Sequence, residues 1–212
     1  LRDELQAAGK APPWRGRSDT EVLLACIVAW GVEATLKKLI GMFSIALWDR
    51  EERTLTFARD RIGEKPLYYG IVGGRVYFAS ELKAIVAAAG PLEIDREALN
   101  EFFCFSYVPA PRSIWQGIRK LPPAHYIVLR SPECANKAPL AYWEMGGEGH
   151  DALRAEMADA SSQEITNRVE AEIRRAVGMQ MVSDVPLGAF LSGGVDSSLV
   201  VALMQQQSSR PV

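Results

Sequence analysis

The apolar positions along the chain fall into alternating helical and strand-like periods. Residues 1–8 read as the end of a helix closed by Gly9, and residues 11–17 as a Pro-rich loop. Ser18-Asp19-Thr20-Glu21 has the form of a capping box, with Ser18 and Glu21 each satisfying an orphan amide. Val22, Leu23, Cys26, Ile27 and Trp30 then mark one helix face, ending at Gly31. A short helix over residues 32–40 leads to Gly41-Met-Phe-Ser-Ile-Ala-Leu-Trp-Asp49, a strand apolar on both faces and therefore expected to be covered on both. A charged turn at 49–53 returns the chain along residues 54–59. Residues 60–66 form a loop, 67–72 and 75–79 a hairpin across Gly73-Gly74, and 80–90 a short helix. Two antiparallel sheets with helices outside satisfy this order.

Asp95 caps a helix over residues 96–103, residues 106–111 (Ser-Tyr-Val-Pro-Ala-Pro) form an extended linker, and Pro122-Pro123 opens a strand to Leu129. Residues 131–139 and 145–162 read as variable loops, with Trp143 an aromatic anchor expected at a domain junction. Ile165, Val169, Ile173, Val177 and Met181 recur every four residues and predict an amphipathic helix over 163–181. Its Arg168, Arg174 and Arg175 read better as a solvated face than as an anion-steering cluster. The apolar run 185–191 predicts a buried strand. It breaks at Ser192-Gly193-Gly194 and resumes as a helix from Asp196 through Leu199, Val200 and Leu203.

Strand, glycine turn and helix N-terminus together make an anion site. The first helical turn has free N–H groups and a partial positive charge, and glycines admit a phosphate close to the backbone. Ser192, Ser197 and Ser198 add hydroxyls. Asp196 repels phosphate unless it caps the helix or shares a divalent metal with it. No lysine follows the glycines, which excludes a Walker A loop, and the string lacks G-x-G-x-x-G. A plain strand–helix connector capped by Asp196 remains the bland alternative.

Ser-Gly-Gly-Val-Asp-Ser-Ser (192–198) resembles the pyrophosphate motif SGG-x-DS of the N-type ATP pyrophosphatases, and the preceding Ser-Asp-Val-Pro-Leu-Gly (183–188) narrows the resemblance to the glutamine-dependent asparagine synthetases. Independently, Ser18–Glu21, Gly41–Asp49, Arg59-Asp60-x-x-Gly63-x-x-Pro66-Leu67-Tyr68-Tyr69 and Phe78-Ala-Ser-Glu-Leu-Lys83 resemble the later part of a class II glutamine amidotransferase domain. The resemblance implies an α+β N-terminal-nucleophile αββα sandwich over residues 1–130. A variable linker over 131–162 and the start of an α/β adenine-nucleotide α-hydrolase-like domain over 163–212 complete the expected organisation.

It also implies chemistry. ATP would activate the side-chain carboxylate of aspartate as an acyl-adenylate, and ammonia from glutamine would displace AMP. Phe190, Leu191, Ser192, Gly193, Gly194, Asp196, Ser197 and Ser198 would hold ATP and pyrophosphate, with Asp196 acting through Mg2+. Asp19 would hold the α-amino group of glutamine; from spacing alone it reads as a first-turn acid favouring the helix dipole. The family's nucleophilic cysteine would lie before Leu1, so the stretch would be incomplete at both sites and none of its own residues is a catalytic candidate. Cys26, on an apolar helix face, reads as core. His125 reads as packing, and His150 is assigned nothing. Two alternatives stay open: a β-lactam synthetase-like enzyme adenylating another carboxylate, and a non-catalytic phosphate-binding relic.

Composition narrows the partners. A net charge of −2 over 212 residues argues against a nucleic-acid surface. No apolar run approaches a membrane span. Three separated cysteines point to reduced thiols and a cytoplasmic setting. A homodimer is compatible with the resemblance.

Overall fold

A computed structural model describes residues 1–147 and 149–212. The chain divides into two compact units, Leu1–Met145 and Gly146–Val212. Among the described residues, no helix is long and apolar enough to cross a membrane.

The first unit is α+β and its sheets are antiparallel. Helices α1 (Arg2–Ala7), α2 (Asp19–Trp30) and α3 (Val32–Lys38) precede strands β1 (Ser44–Asp49), β2 (Thr54–Arg59), β3 (Tyr68–Val72) and β4 (Arg75–Ala79). Helices α4 (Leu82–Ala89) and α5 (Arg96–Phe105) follow, then β5 (Ile118–Lys120), β6 (His125–Leu129), a 3-10 turn (Pro132–Asn136) and β7 (Leu140–Ala141). One sheet has the order β1-β2-β6-β7 and the other β4-β3-β5. The strand periodicity sorts side chains between two cores. Phe57 lies opposite Ile127 in the ladder, and both join Tyr69 of β3 in the layer between the sheets. Their neighbours Ala58 and Tyr126, also paired, face the other way and pack with Leu36 of α3. The rings of Phe57 and Tyr69 are 5.7 Å apart and tilted, bridging the two sheets.

Within the three-stranded sheet, β3 and the chain entering β5 also meet closely through backbone. A Cβ added at Gly70 of β3 would overlap the carbonyl oxygen of Gly117, just before β5. Only glycine lets these chains approach so closely.

Arg59 and Asp60 hold the loop after β2. Asp60 is fully buried, and its carboxylate accepts N–H bonds from Phe43, Ile62, Gly63, Glu64 and Lys65 at 2.7–3.3 Å. The Arg59 guanidinium donates to the carbonyls of Lys65 (2.7 Å), Leu121 (2.8 Å) and Gly63 (2.5 Å). Burial pushes the Asp60 carboxyl upward, but the amide bonds outweigh it and hold the group below the ordinary aspartate range. Tyr142 closes the same corner, its hydroxyl donating to Arg59 O at 2.8 Å. Burial, with the Asp60 charge second, pushes that phenol up to about 12.

Several expectations change. Strand β1 is not covered on both faces: none of its residues is fully buried and Trp48 is 53% exposed; it also lies at a sheet edge. The doubly buried strand is the central β2. The segment 131–139 is not a free loop; its 3-10 turn buries Ala135 in the inter-sheet core. The residue anchored after β7 is Tyr142, while Trp143 packs beside the α3-side core of the first unit and faces Arg61. Within 145–162, helix α6 (His150–Glu156) forms.

The second unit is helical. Helix α7 (Ser162–Gln180) starts with a complete capping box from Ser161 and Glu164. Helix α8 (Val195–Gln207) buries Leu203 and Met204, and its Gln207 amide donates to Arg174 O of α7 at 3.1 Å. Gly178 makes room for that side chain. The expected strand at 185–191 does not form: Val185 is 70% exposed and no ladder pairs this segment. A strand needs a neighbour for its backbone hydrogen bonds, and among the described residues none is adjacent.

Replacing Asp60 by Ala strands several buried amides and is expected to cost about 3 kcal/mol or more in urea unfolding. The linkage has a definite sign. Because the folded pKa is depressed, the carboxylate's contribution is complete above about pH 3.9, the unfolded value, and is lost as pH falls through the folded pKa. An acid titration of stability should lose this component in Asp60→Ala.

Candidate functional site

Two places in the chain gather the residues that the sequence singles out, one in each unit.

In the first unit, a groove of about 830 Å³ is lined by residues including Asp19, Leu23, Ile40, Phe43, Lys65 and Ser80. Asp19 is the first residue of α2, and Ser18 is its N-cap, accepting from Thr20 N–H at 3.2 Å. Asp19 Oδ1 accepts from the same amide at 2.7 Å and from the Thr20 hydroxyl at 3.3 Å. Among the described residues, none donates a hydrogen bond to its Oδ2. The two sequence readings of Asp19 are therefore compatible: the carboxylate sits in the first turn and also borders the groove. An exposed carboxylate with one free oxygen suits an ammonium ligand.

The capping box at this helix is only half formed. Ser18 caps, but Glu21 does not return to Ser18. Its carboxylate reaches further back and accepts from Arg15 N–H at 2.7 Å and Gly16 N–H at 3.1 Å. Sequence periodicity held no signal for that longer reach.

In the second unit, α8 begins at Val195 with Gly194 as its N-cap. Asp196 is thus the second helical residue and not the cap, which corrects one of its two sequence readings. A glycine cap leaves the first turn without a side-chain acceptor. The first intrahelical bond joins Ser198 N–H to Gly194 O at 3.1 Å, so the amides of Val195, Asp196 and Ser197 precede the helical ladder. Gly193 has φ +82°, a conformation glycine adopts without strain.

The serines gather at this end. Ser192 Oγ and Ser197 Oγ are 2.9 Å apart. Ser197 and Ser198 hydroxyls donate to Gly194 O at 3.1 and 2.8 Å. Ser192, Gly193, Gly194, Asp196, Ser197 and Ser198 are therefore together at one exposed helix N-terminus. Phe190 is 99% exposed and, with Leu191, lies in the extended segment before the loop. The three arginines of α7 are each paired with Glu170 or Glu172 of the same helix, which fits a solvated face. His125 holds Pro123 O at 2.6 Å from its Nδ1, a packing role. His150 opens α6.

Among the described residues, no group of three His, Cys, Asp or Glu side chains could hold a metal. A cation at Asp196 would have one protein carboxylate and hydroxyl neighbours. Such a donor set fits a magnesium ion that brings most of its ligands with a phosphate substrate.

The thiols differ sharply. Cys26, on α2, is fully buried, and burial pushes its pKa up. Cys134, at the 3-10 turn, is held below the ordinary thiol range by the backbone of Arg130, with Ser131 adding to it. Cys104 is exposed.

A two-part organisation emerges when the chain is compared with known proteins. It belongs to the glutamine amidotransferase domain family, whose model matches residues 1–143. Residues 168–212 match the asparagine synthase family model. Among curated relatives, the "Asparagine synthetase [glutamine-hydrolyzing] 1" of Bacillus subtilis is 34% identical over 206 residues, covering 97% of this chain and 30% of the relative. The "Asparagine synthetase [glutamine-hydrolyzing] 3" of the same organism is 37% identical over 205 residues, 96% of this chain and 31% of the relative. The "Amidase chyE" of Penicillium rubens is 32% identical over 189 residues, 89% of this chain and 27% of the relative. The chain spans about a third of the length of these relatives.

The thiol environments predict an order of reactivity. Brief iodoacetamide treatment near neutral pH should label Cys104 and Cys134 and leave Cys26 untouched until the protein is unfolded. Peptide mass mapping checks this, and early labelling of Cys26 would contradict its core placement.

Proposed function

We propose that this chain forms part of a glutamine-dependent asparagine synthetase, in which the first unit contributes to releasing ammonia from glutamine and the second to activating aspartate with ATP. The observation that carries this reading is the order of the two family matches along one chain, amidotransferase first and synthase second. The facing antiparallel sheets with α3 outside support an αββα N-terminal-nucleophile sandwich for the first unit. None of the three cysteines supplies the nucleophile of such a domain, least of all buried Cys26.

In this reading Asp19 binds the α-ammonium of glutamine through its free carboxylate oxygen. The loop 192–198 receives the pyrophosphate end of ATP. As the α–β phosphate bond breaks, negative charge grows on the leaving pyrophosphate. Amides already fixed ahead of the helical ladder, and hydroxyls beside them, stabilise that charge without reorganising at the moment of reaction. The hydroxyls of Ser197 and Ser198 now spend their protons on Gly194 O, and rotation about χ1 would redirect them to phosphate. Asp196 would hold Mg2+ against the phosphate, and the ion would supply neutralising charge there. Phe190 and Leu191 would contribute backbone contacts to the nucleotide.

The relatives differ in name, one of them being called an amidase, so the identity of the activated carboxylate is what the experiment must test. The test is pyrophosphate release from ATP by the intact protein, with and without aspartate, with glutamine as donor. Release that requires aspartate and yields asparagine is expected. Release that requires a different carboxylate would replace the substrate and keep the chemistry. An absence of ATP binding would overturn the role of the loop. Asp196→Asn and Ser197→Ala should each lower kcat by roughly 10²-fold, the usual cost of losing one preorganised partner of developing charge.

A further inference from the structure

The Pro-rich loop before α2 is fastened from both sides, and the fastening converges on Gly16, three residues before Asp19. Glu21, on the third position of α2, accepts both the Arg15 and Gly16 amides. The same Gly16 peptide is held at its other end, where Arg2 of α1 donates to Gly16 O at 3.0 Å. The Arg2 guanidinium in turn lies 4.3 Å from the centre of the Trp14 ring, stacked within the loop. Glu21 accepts no bond from Ser18, as a capping box would require.

The capping box normally stabilises a helix by itself. Here the acid is diverted to the loop, so helix α2 loses one of two cap bonds and the loop gains two. Local stability does not ask for that exchange. The position of Asp19 explains it: the chain runs from the clamped Arg15-Gly16 pair straight into Asp19, with only Arg17 and Ser18 between them. Fixing Gly16 against the first turn of α2 fixes the direction from which the chain reaches Ser18, and with it the Asp19 carboxylate at the rim of the groove.

We propose that Glu21, with Arg2 and Trp14, is a positioning strap that presets the Asp19 carboxylate for the ammonium group of the amide donor. The inference rests on the reading of Asp19 as the glutamine-binding carboxylate. Glu21 touches no substrate. It removes conformational freedom from the loop before the ligand arrives, and so lowers the ordering cost of binding.

The experiment is steady-state kinetics of the intact protein with glutamine, and separately with ammonium as nitrogen source. Glu21→Ala should raise KM for glutamine roughly 3- to 10-fold, the scale of one or two charge-assisted hydrogen bonds, with kcat nearly unchanged. Glu21→Gln, which keeps one acceptor oxygen, should fall between, and Trp14→Ala should shift KM in the same direction. Ammonium-dependent synthesis should not change in any of them. Hydrogen exchange at the Arg15 and Gly16 amides should quicken in Glu21→Ala. On an Asp19→Asn background, Glu21→Ala should add little, since the strap acts through that carboxylate. A glutamine KM within twofold of the parent for both Glu21 variants overturns the proposal. So does an effect that persists in full on the Asp19→Asn background, or an equal loss with ammonium. If Asp19→Asn itself leaves the glutamine KM unchanged, the reading of the site fails, and the strap as stated fails with it.

Discussion

The first unit depends on the burial of one charged pair in sequence, Arg59 and Asp60. Neither charge neutralises the other directly. Each is satisfied by backbone: Arg59 by three carbonyls, Asp60 by five amides. The result ties the end of β2, the loop 60–66, the segment before β1 and the chain leaving β5 into one corner. Removing either charge would leave a set of buried peptide groups with no partner, which is why such a corner is stable only when complete. The groove bordered by Asp19 uses this corner as one wall, since Phe43 and Lys65, both bonded through their amides to Asp60, also line it.

The two candidate sites are shaped by different means. The groove of the first is shaped by a packed core and by a loop tied to a helix. The loop 192–198 of the second is shaped mainly by backbone: a glycine in a left-handed conformation, a glycine cap, and serines folded onto one carbonyl. Its helices bury little, and Ile165, Val169, Leu199 and Val200 remain exposed. The chemistry assigned to this loop asks for accessible amides, and accessibility is what the arrangement provides.

Much of the first unit was legible in the sequence because its elements obey local rules. The boundaries of β2 and β4 follow from alternation and turn residues, and the Asp95 cap from its side chain. Long-range placement was less legible. Hydrophobic pattern marked β1 as doubly buried, but pattern does not say which strand takes the middle of a sheet. An apolar run at 185–191 met every local criterion for a strand and lacked only a neighbour. Among the site residues, the serines and glycines were readable as a cluster because they are contiguous. Glu21 was misassigned because a capping box and a clamp on the preceding loop begin from the same four letters. Only the backbone path of residues 15–18 decides between them.

The position of β1 has a consequence for how the protein behaves in concentrated solution. Among the described residues, no strand pairs with its outer edge, and beside it stands the half-bare indole of Trp48. The strand has a single ionisable side chain, Asp49, at its very end, so little charge keeps a second edge away. Uncharged edges of this kind are the ones a further strand can extend. A lysine placed mid-strand on the solvent face of β1 is the change that would guard this edge against pairing with another strand.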